Sequence, residues 1–592
     1  MKKTLLIIGV VMLCMFSIAS AQTFSDYVSA MRGDTAVIKD YTENANTAST
    51  LTNAVNSDTI NVPAGRVYML KTNGYYPLAA NLTTPSTRSV VIIGQNFTRL
   101  VNNKDINSAP PLICGNSVQG GASNPGGINW QNNLTVKNCN IVVSAPDGNL
   151  NWSFFGTGSA NKKVFLENCL FERTKWVIIN SNSASGSSIF INDCYFVNLT
   201  GLACRRNGGV FDNVDNPTDT IWVENSTHIM AEGSMYKFRN FPVKKGFFNH
   251  NTFINCAGST FESLGYLSNL VVTNNIFVNS NIQPFDTTLV NAGDLGETDA
   301  DNLPTGLVNC RALPASMTQL DRKILVDNNL IYWDARLTKL DSVANARSIN
   351  NDKNWMSQAI TMNSRTQAMF NDNTTYPYLT EGRWFRKVPT FTDPKNLLTA
   401  ATDSIRDFAI RTVDVTSTNI LSDWRLVNIG KDYIVYSDWP IPVDLSYSDA
   451  DLMAGGTGGF PVGDLNWFPA KKTQWLAQAV TEHTAIETAL NSGHTTTGVD
   501  IANLPVKFQL QQNYPNPFNP STKITFSLPH SADASLKVFD MLGREVATLV
   551  NGYTAAGSHE VQFNASNVSS GVYFYKLTSG SFTQIKKMML VK

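Results

Sequence analysis

The sequence predicts an all-β protein, a right-handed parallel β-helix followed by a small immunoglobulin-like β-sandwich. A strand–Asn–strand unit recurs through the first half of the chain, beginning with LTVKNCNIVV at Leu134. Apolar residues alternate on both sides of the turn in each unit. Short alternating strands, separated by turn residues every 8–12 positions, fill the last block from 506 to 592. The first two observations predict the solenoid, and the third predicts the sandwich.

The repeat has the length of one solenoid coil. Its turn residues lie 24 to 32 positions apart, except for a last interval of 54 that equals about two coils or one coil with an insertion. A strand–turn–strand unit at this period is typical of a parallel β-helix. The turn residues are Asn138, Asn168, Asp193, Asn225, His250, Asn274 and Asn328.

Alternation around the turn indicates two strands that share one interior. The second and fourth residues before the turn are nearly all apolar, as in Leu166 and Val164, and the third residue after it is Ile, Phe or His. Asn and Asp tolerate the left-handed backbone that such a bend needs. We therefore expect a ladder in which each side-chain amide bonds the next, formed by Asn138, Asn168, Asp193, Asn225, Asn274 and Asn328.

Composition and the N-terminus indicate an exported protein. Charged residues make up only 16% of the chain and the formal net charge is zero, which argues against a nucleic-acid partner. Residues 1–21 combine a basic start, an apolar run and Ala-Ser-Ala, which predicts a signal peptide cleaved after Ala21. No later stretch is apolar enough to span a bilayer, so we expect a mature chain without a transmembrane segment. We also expect a monomer.

The cysteines indicate a column of buried thiols. Cys139, Cys169 and Cys194 each follow a turn residue by one position, where later coils place Ser226 and then Asn. The odd number of cysteines after the signal peptide excludes complete internal pairing. A ladder of small buried thiols is the favoured interpretation, and a disulfide or a metal site is the alternative.

The fading of the repeat divides the chain. We expect the β-helix over 22–334, and over 335–490 the final irregular coils together with helical and loop elements packed along the solenoid. A short helix and the strand DTINVPAGRVYML (58–70) resemble the opening coil of pectin-lyase-like β-helices. VPTFTDP (388–394) and FPVGDLNWFP (460–469) resemble closing segments of β-helix domains in secreted proteins of the Bacteroidetes–Chlorobi group. Residues 491–505 form a Gly- and Thr-rich linker.

The last block, 506–592, contains YPNPFNP, LGREV, SGVYFYKL and a basic-apolar final strand. These segments resemble the type A C-terminal sorting domain of the type IX secretion system. The resemblance implies recognition by the outer-membrane translocon, and therefore a secreted protein or one at the outer-membrane surface of a Gram-negative bacterium. Such a domain is an address and does not reveal the chemistry of the cargo.

Fold-level analogy gives three alternatives for that chemistry. The favoured one is binding of extracellular polysaccharide through the solenoid face. A polysaccharide lyase acting on an acidic glycan is the second, and a non-catalytic surface adhesin is the third. A galacturonan hydrolase is disfavoured because the adjacent aspartate pair and the Arg-Ile-Lys segment of that family are absent.

The lyase alternative depends on a basic stretch. Arg206, Arg239 and Lys245 are its candidate catalytic residues, because cations on neighbouring coils can neutralise a uronate carboxylate and accept a proton. Lys237 and Lys244 lie in the same stretch. The competing interpretation is a set of solvated loop charges.

The binding alternative depends on four outward positions. The residue three before the turn is aromatic in four consecutive coils, at Phe165, Phe190, Trp222 and Phe247. We name these residues the aromatic strip. If these rings are exposed, they form a platform on which sugar rings can stack. If they are covered, they are the surface on which residues 335–490 pack.

No metal site is predicted from the histidines and cysteines, because none has ligand spacing. Ca²⁺ is the one metal for which loops are present, at Asp299-Ala-Asp301 and Asp449-Ala-Asp451. His228 and His250 replace an inward apolar residue and a turn Asn, and a structural role is the favoured interpretation of both.

Overall fold

Most of the chain after the predicted signal peptide can be described. The computed structural model describes residues 22–44, 48–95, 109–115, 126–144, 151–201, 207–214, 216–238, 241–263, 268–282, 306–311, 313, 315–338, 340, 359–413, 443–495, 508–528, 532–554, 557–579 and 582–592. The predicted signal peptide and most of the predicted linker lie outside these ranges.

Three long sheets form a parallel β-helix, as predicted. Successive coils add strands to these sheets, and the strands of neighbouring coils pair in parallel, so that Val164, Ile189 and Ile221 lie in register. The exception is the first strand, Val28–Arg32, which pairs antiparallel with Thr35–Ile38. The first sheet consists of Val28–Arg32, Thr35–Ile38, Val67–Leu70, Val90–Gly94, Leu134–Lys137, Lys163–Glu167, Ser187–Asn192, Thr218–Glu224, Val243–Asn249, Asn269–Thr273, Lys323–Asp327 and Leu379–Glu381.

The second sheet follows the turn residues, and the third returns the chain to the first. The second consists of Tyr75–Leu78, Leu112–Gly115, Asn140–Val142, Leu170–Glu172, Tyr195–Leu199, Thr227–Ala231, Thr252–Cys256, Ile276–Ser280, Asn329–Tyr332 and Trp384–Phe385. The third consists of Leu82–Thr83, Ile128–Trp130, Phe155–Thr157, Val177–Asn180, Gly209–Asp212, Tyr236–Phe238 and Phe261–Ser263.

The core is built from inward residues that stack on their equivalents in the next coil. Phe196 and Phe253 lie on either side of His228, with ring centroids 4.8 and 4.2 Å from the imidazole. The imidazole Nε2 lies 2.9 Å from the hydroxyl oxygen of Tyr236. Burial lowers the pKa of His228 to about 3, so this histidine is a neutral core residue.

The turn residues all adopt the left-handed backbone that the sequence predicts. The seven φ angles lie between 48° and 59°. Asn168 Nδ2 donates to Asn138 Oδ1 at 2.8 Å, which is one step of the predicted ladder. Later turn residues bond elsewhere, as where Asn274 Nδ2 donates to Asn249 Oδ1. The position of the predicted ladder therefore needs a correction.

The continuous amide ladder lies one residue after the turn, inside the solenoid. Asn251 Nδ2 donates to Asn275 Oδ1 at 3.0 Å, and Asn275 Nδ2 donates to Asn329 Oδ1 at 3.0 Å. The backbone N–H groups of Asn251 and Asn275 donate to the same two oxygens. An inward side chain meets the backbone of the next coil, so the amide satisfies main-chain donors that an outward turn residue cannot reach.

In the earlier coils this inward position holds thiols. Cys139, Cys169 and Cys194 are buried, as are the other described cysteines Cys114, Cys256 and Cys310. The Sγ of Cys169 lies 3.6 Å from the carbonyl oxygen of Val136 in the preceding coil. Cys204 lies outside the described residues.

Helical elements cover the solenoid. Thr50–Ser57 buries Leu51 and Val55 in the core of the first coils. The other α-helices within the described ranges are Ser364–Asn371, Leu397–Val413, Ala450–Met453, Pro469–Leu476 and Ala479–Ser492. Short 3₁₀ turns lie at Phe24–Tyr27, Gln319–Asp321, Thr457–Gly459, Leu465–Trp467 and Gly493–Thr495.

The C-terminal residues form a separate antiparallel unit. Seven strands make two sheets around one apolar core that contains Phe526, Leu536 and Tyr575. One sheet consists of Gln509–Leu510, Ser521–Leu528 and Gly557–Asn564, and the other of Glu545–Thr554, Ala532–Phe539, Gly571–Ser579 and Phe582–Leu590.

Candidate functional site

The aromatic strip lies on the outer face of the first sheet. Its four residues are in register on consecutive rungs. The rings of Phe165 and Phe190 stack with centroids 4.9 Å apart and planes 11° apart. Trp222 and Phe247 form a closer stack at 3.7 Å.

The four aromatic residues differ in exposure. Phe165, Phe190 and Trp222 are half-buried, whereas Phe247 is fully buried. Phe247 continues into Val271 and Leu325 on the next rungs, and Ile486 and Leu490 pack over this part of the column. We therefore remove Phe247 from the candidate glycan surface, because its ring is inaccessible in this structure.

The cover is the helix Ala479–Ser492, which we name the clamp helix. Its Glu482 is 1% exposed and accepts hydrogen bonds from Asn249 Nδ2 at 2.9 Å and from Trp475 Nε1 at 3.0 Å. His250 Nε2 lies 3.1 Å from the same carboxylate. At this turn a histidine stands in the place of Asn, and its imidazole contacts the buried Glu482 carboxylate of the clamp helix.

A second acid–base pair lies beside the first. His483 Nε2 lies 2.8 Å from Glu224 Oε1, and its ring meets Trp222 edge-on at 5.0 Å. Burial opposes charge on His483, but the attraction and hydrogen bond of Glu224 outweigh it and raise its pKa. Burial also opposes charge on Glu482, but His250, Asn249 and His483 outweigh it and lower its pKa.

These shifts predict a pH window for the clamp helix. The raised pKa of His483 adds stability that is complete below the ordinary histidine pKa of 6.5 and is lost as pH rises through the folded value. The lowered pKa of Glu482 adds stability that is complete above 4.5 and is lost as pH falls through its folded value. We expect amide exchange in 479–492, corrected for intrinsic rates, to be slowest between about pH 5 and 6.5. Protection that does not vary from pH 4 to 8 would contradict this.

The segment before the clamp helix covers the corner between the first and second sheets. Gly463 N–H donates to the carbonyl oxygen of Asn274 at 2.7 Å, and Asn466 Nδ2 donates to that of Asn225 at 2.8 Å. The Lys472 ammonium pairs with the Asp193 carboxylate. The turn residues that sequence reasoning assigned to a ladder therefore also anchor this cover.

The basic stretch does not form one groove among the described residues. The Lys245 ammonium pairs with the Glu487 carboxylate and lies 5.1 Å from the Trp222 ring centroid, on the first sheet. Lys237 is fully buried on the third sheet, in register with Asp212 and Glu262. Arg206 and Arg239 lie outside the described residues.

The acidic loop at Asp449-Ala-Asp451 already holds a protein cation. The Lys387 ammonium lies 2.7 Å from Asp449 Oδ2 and 2.9 Å from Asp451 Oδ2. Asp299 and Asp301 lie outside the described residues. Within the described ranges, no group of three or more His, Cys, Asp or Glu side chains is placed to hold a metal ion.

The antiparallel unit at the C-terminus matches a known family. A family model described as secretion system C-terminal sorting domain matches residues 512–592. This part of the chain is a type IX secretion C-terminal sorting domain. Comparison with curated proteins found no match, and neither did comparison with solved structures.

The sorting domain settles the destination of the chain. It indicates secretion, or attachment to the cell surface, in a Gram-negative bacterium of the Bacteroidetes type. The helices in the described ranges are all too short or too polar to cross a membrane. Within the sorting domain, the Tyr575 hydroxyl accepts from Asn513 N–H and donates to the carbonyl oxygen of Gln511, both at 2.8 Å, which ties the residues just before YPNPFNP to the sandwich.

Proposed function

We propose that the exported β-helix binds extracellular polysaccharide on the outer face of its first sheet, at Phe165, Phe190 and Trp222. The observation that carries the proposal is that these three aromatic residues stay partly exposed on consecutive rungs, whereas Phe247 and the next two rungs, Val271 and Leu325, are buried. Rungs about 4.8 Å apart place them along roughly 10 Å of the solenoid axis. An extended chain of sugar rings can follow such a line.

The end of the stack supports contact with a sugar ring. Phe165 is in register with Thr135 in the preceding coil, and Thr135 is much smaller than a phenyl ring. Among the described residues, one face of Phe165 therefore has no aromatic partner. The C–H-bearing face of a pyranose can pack on an aromatic face of this kind, while its hydroxyl groups stay in water.

The flanks of the strip carry charges of both signs. Lys137 and Glu167 form a half-exposed ion pair on one side, and Lys244 pairs with Asp219 at 3.1 Å on the other. Lysines that are already paired with carboxylates attract a polyanion weakly. Because Lys245 is paired with Glu487 as well, the described residues favour binding of a neutral glycan over lyase chemistry on an acidic one.

The test is affinity electrophoresis of the mature chain in gels that contain neutral or uronate polysaccharides. We expect retardation by at least one neutral polysaccharide, and a loss of affinity of about tenfold or more in Phe165→Ala/Phe190→Ala, since each buried aromatic contact contributes on the order of 1 kcal/mol. Trp152→Ala is the matched control, because Trp152 is half-buried but lies outside the strip, against Lys175.

Two results would overturn the proposal. One is a wild-type chain that no polysaccharide retards. The other is a double variant that is retarded as strongly as the wild type. Ultraviolet absorbance of an unsaturated product, recorded with the same uronate panel, tests the lyase alternative.

A further inference from the structure

A cleft of about 370 Å³ opens beside the second sheet, on a different sheet from the aromatic strip. Its floor includes Ile254 and Val278, on the outer face of the second sheet. One wall is the segment 388–394, whose sequence VPTFTDP stands out in the sequence analysis. The other wall contains Tyr332 and Arg336. This volume lies within the range of small-molecule sites, which is about 300–1,000 Å³.

Hydrogen bonds hold both walls in place. The N–H groups of Thr392 and Asp393 donate to the carbonyl oxygens of Ser446 and Asp444, each at 2.8 Å. On the opposite wall, Arg336 Nε and Nη2 both donate to the Asp334 carboxylate at 2.8 Å. The remaining Arg336 nitrogen, Nη1, donates to the carbonyl oxygen of Thr399 and to Asp403. The cleft is therefore preformed, and binding need not order its walls.

Two polar side chains of the lining, Asp393 and Tyr332, are the candidate contacts for a ligand. Asp393 Oδ2 accepts from Leu398 N–H at 2.9 Å, but Asp393 Oδ1 is buried without a hydrogen-bond partner among the described residues. A buried carboxylate oxygen without a donor costs free energy, which a ligand hydroxyl can recover. Tyr332 is half-buried at the end of its strand, and burial together with Asp334 raises the pKa of its hydroxyl, which stays a donor.

Apolar groups lie next to these polar ones. Phe391 is half-buried, and Val388 is 57% exposed at the mouth of the cleft. An aromatic ring beside an acceptor oxygen and a hydroxyl donor matches a pyranose, which has one apolar face and equatorial hydroxyl groups. Charge selects among pyranoses: Arg336 is neutralised by Asp334 and Asp403, so Asp393 leaves the lining negative and disfavours a uronate.

We propose that this cleft binds one neutral sugar residue of a glycan, with Asp393 Oδ1 accepting from a sugar hydroxyl, the Tyr332 hydroxyl donating to a sugar oxygen and the Phe391 ring packing on the apolar face of the sugar. The proposal deepens the proposed function and rests on it, because it adds a pocket for a single residue to an extended surface on another sheet.

The experiment is saturation-transfer NMR on the mature full chain, with maltose, cellobiose, lactose and mannobiose as neutral probes and galacturonic acid as the acidic comparator. Asp393→Asn keeps an acceptor for Leu398 N–H while replacing Oδ1 by a donor, and Tyr332→Phe removes only the hydroxyl. The matched controls are Asp372→Asn, an exposed aspartate that accepts from Thr375 N–H, and Tyr378→Phe, a half-buried tyrosine beside Lys323. Neither control residue lines the cleft.

We expect saturation transfer to at least one neutral disaccharide and a Kd weakened about tenfold in each cleft variant, as for the loss of one buried hydrogen bond. The controls and Phe165→Ala/Phe190→Ala should bind the disaccharide like the wild type. Absence of transfer to all four neutral probes, unchanged binding in both cleft variants, or preference for galacturonic acid would overturn the cleft proposal.

The two proposals fail separately. Disaccharide binding that disappears only in the Phe165→Ala/Phe190→Ala variant would overturn the cleft proposal and support binding at the aromatic strip. If disaccharide binding is lost in the cleft variants but no polysaccharide retards the wild-type chain, the cleft proposal is supported and the aromatic-strip proposal is overturned.

Discussion

Replacing Glu482 by alanine is expected to release the clamp helix from the solenoid. The buried carboxylate accepts from Asn249 and Trp475 and pairs with His250. Removing it leaves these donors unsatisfied in the interior, which costs about 3–5 kcal/mol for a broken buried pair. We expect amides of 479–492 to exchange faster by two to three orders of magnitude, measured by hydrogen exchange with mass spectrometry.

Glu487→Gln is the matched control on the same helix. Glu487 is 42% exposed, and its partner Lys245 is 29% exposed. Exposed ion pairs contribute about 0–1 kcal/mol, so exchange in the control should change by less than about tenfold. Equal exchange in the two variants would show that apolar packing of Ile486 and Leu490, and not the buried acid, holds the helix.

Replacing Asn275 by alanine is expected to interrupt the inner ladder and destabilise the coils around it. The side chain accepts from the backbone and amide nitrogens of Asn251 and donates to the carbonyl oxygen of Phe248. The side chain also donates to Asn329 Oδ1, so four buried groups lose a hydrogen bond. A buried group left without a partner costs about 1–3 kcal/mol. We expect the free energy of unfolding of the β-helix to fall by at least about 3 kcal/mol, measured by urea denaturation followed by tryptophan fluorescence.

Cys169→Ala tests the same column in an earlier coil. The Cys169 thiol makes two weak contacts, 3.6 Å from the carbonyl oxygen of Val136 and 3.4 Å from that of Glu167, so its removal should cost about 1 kcal/mol, as for a small buried apolar group. Similar costs for Cys169→Ala and Asn275→Ala would contradict the special role of the amide ladder.

The parallel β-helix could be predicted because its coils obey local rules. Each unit contains its own period-2 alternation and its own left-handed turn residue. The turns at Asn138 and Asn274 could therefore be predicted without knowing which residues pack against them. The ladder was placed one residue too early, because the inward position was represented by Cys139, Cys169 and Cys194 in the early coils. The recurrence of Asn251, Asn275 and Asn329 was the signal that could have located it.

The cover could not be predicted in the same way. Glu482 and His250 are 232 positions apart in sequence, and nothing in the repeat indicates which outward residue meets a distant helix. Phe247 and Phe190 have the same position in their coils, yet only Phe247 lies beneath the clamp helix. The cleft beside Phe391 likewise depends on backbone bonds to residues 444 and 446, which have no repeat signature.

The buried thiols can report the opening of individual coils, because a thiol becomes reactive only when its coil opens. Burial raises the pKa of Cys114 and Cys139 to about 12. In the folded coil these thiols are therefore protonated and inaccessible, and an alkylating reagent cannot modify them. The solenoid carries cysteines at successive positions along its axis, so no label has to be introduced. They are Cys139, Cys169, Cys194, Cys256 and Cys310. The order in which they become alkylated therefore maps which end of the stack unravels first, and it does so in the unmodified protein.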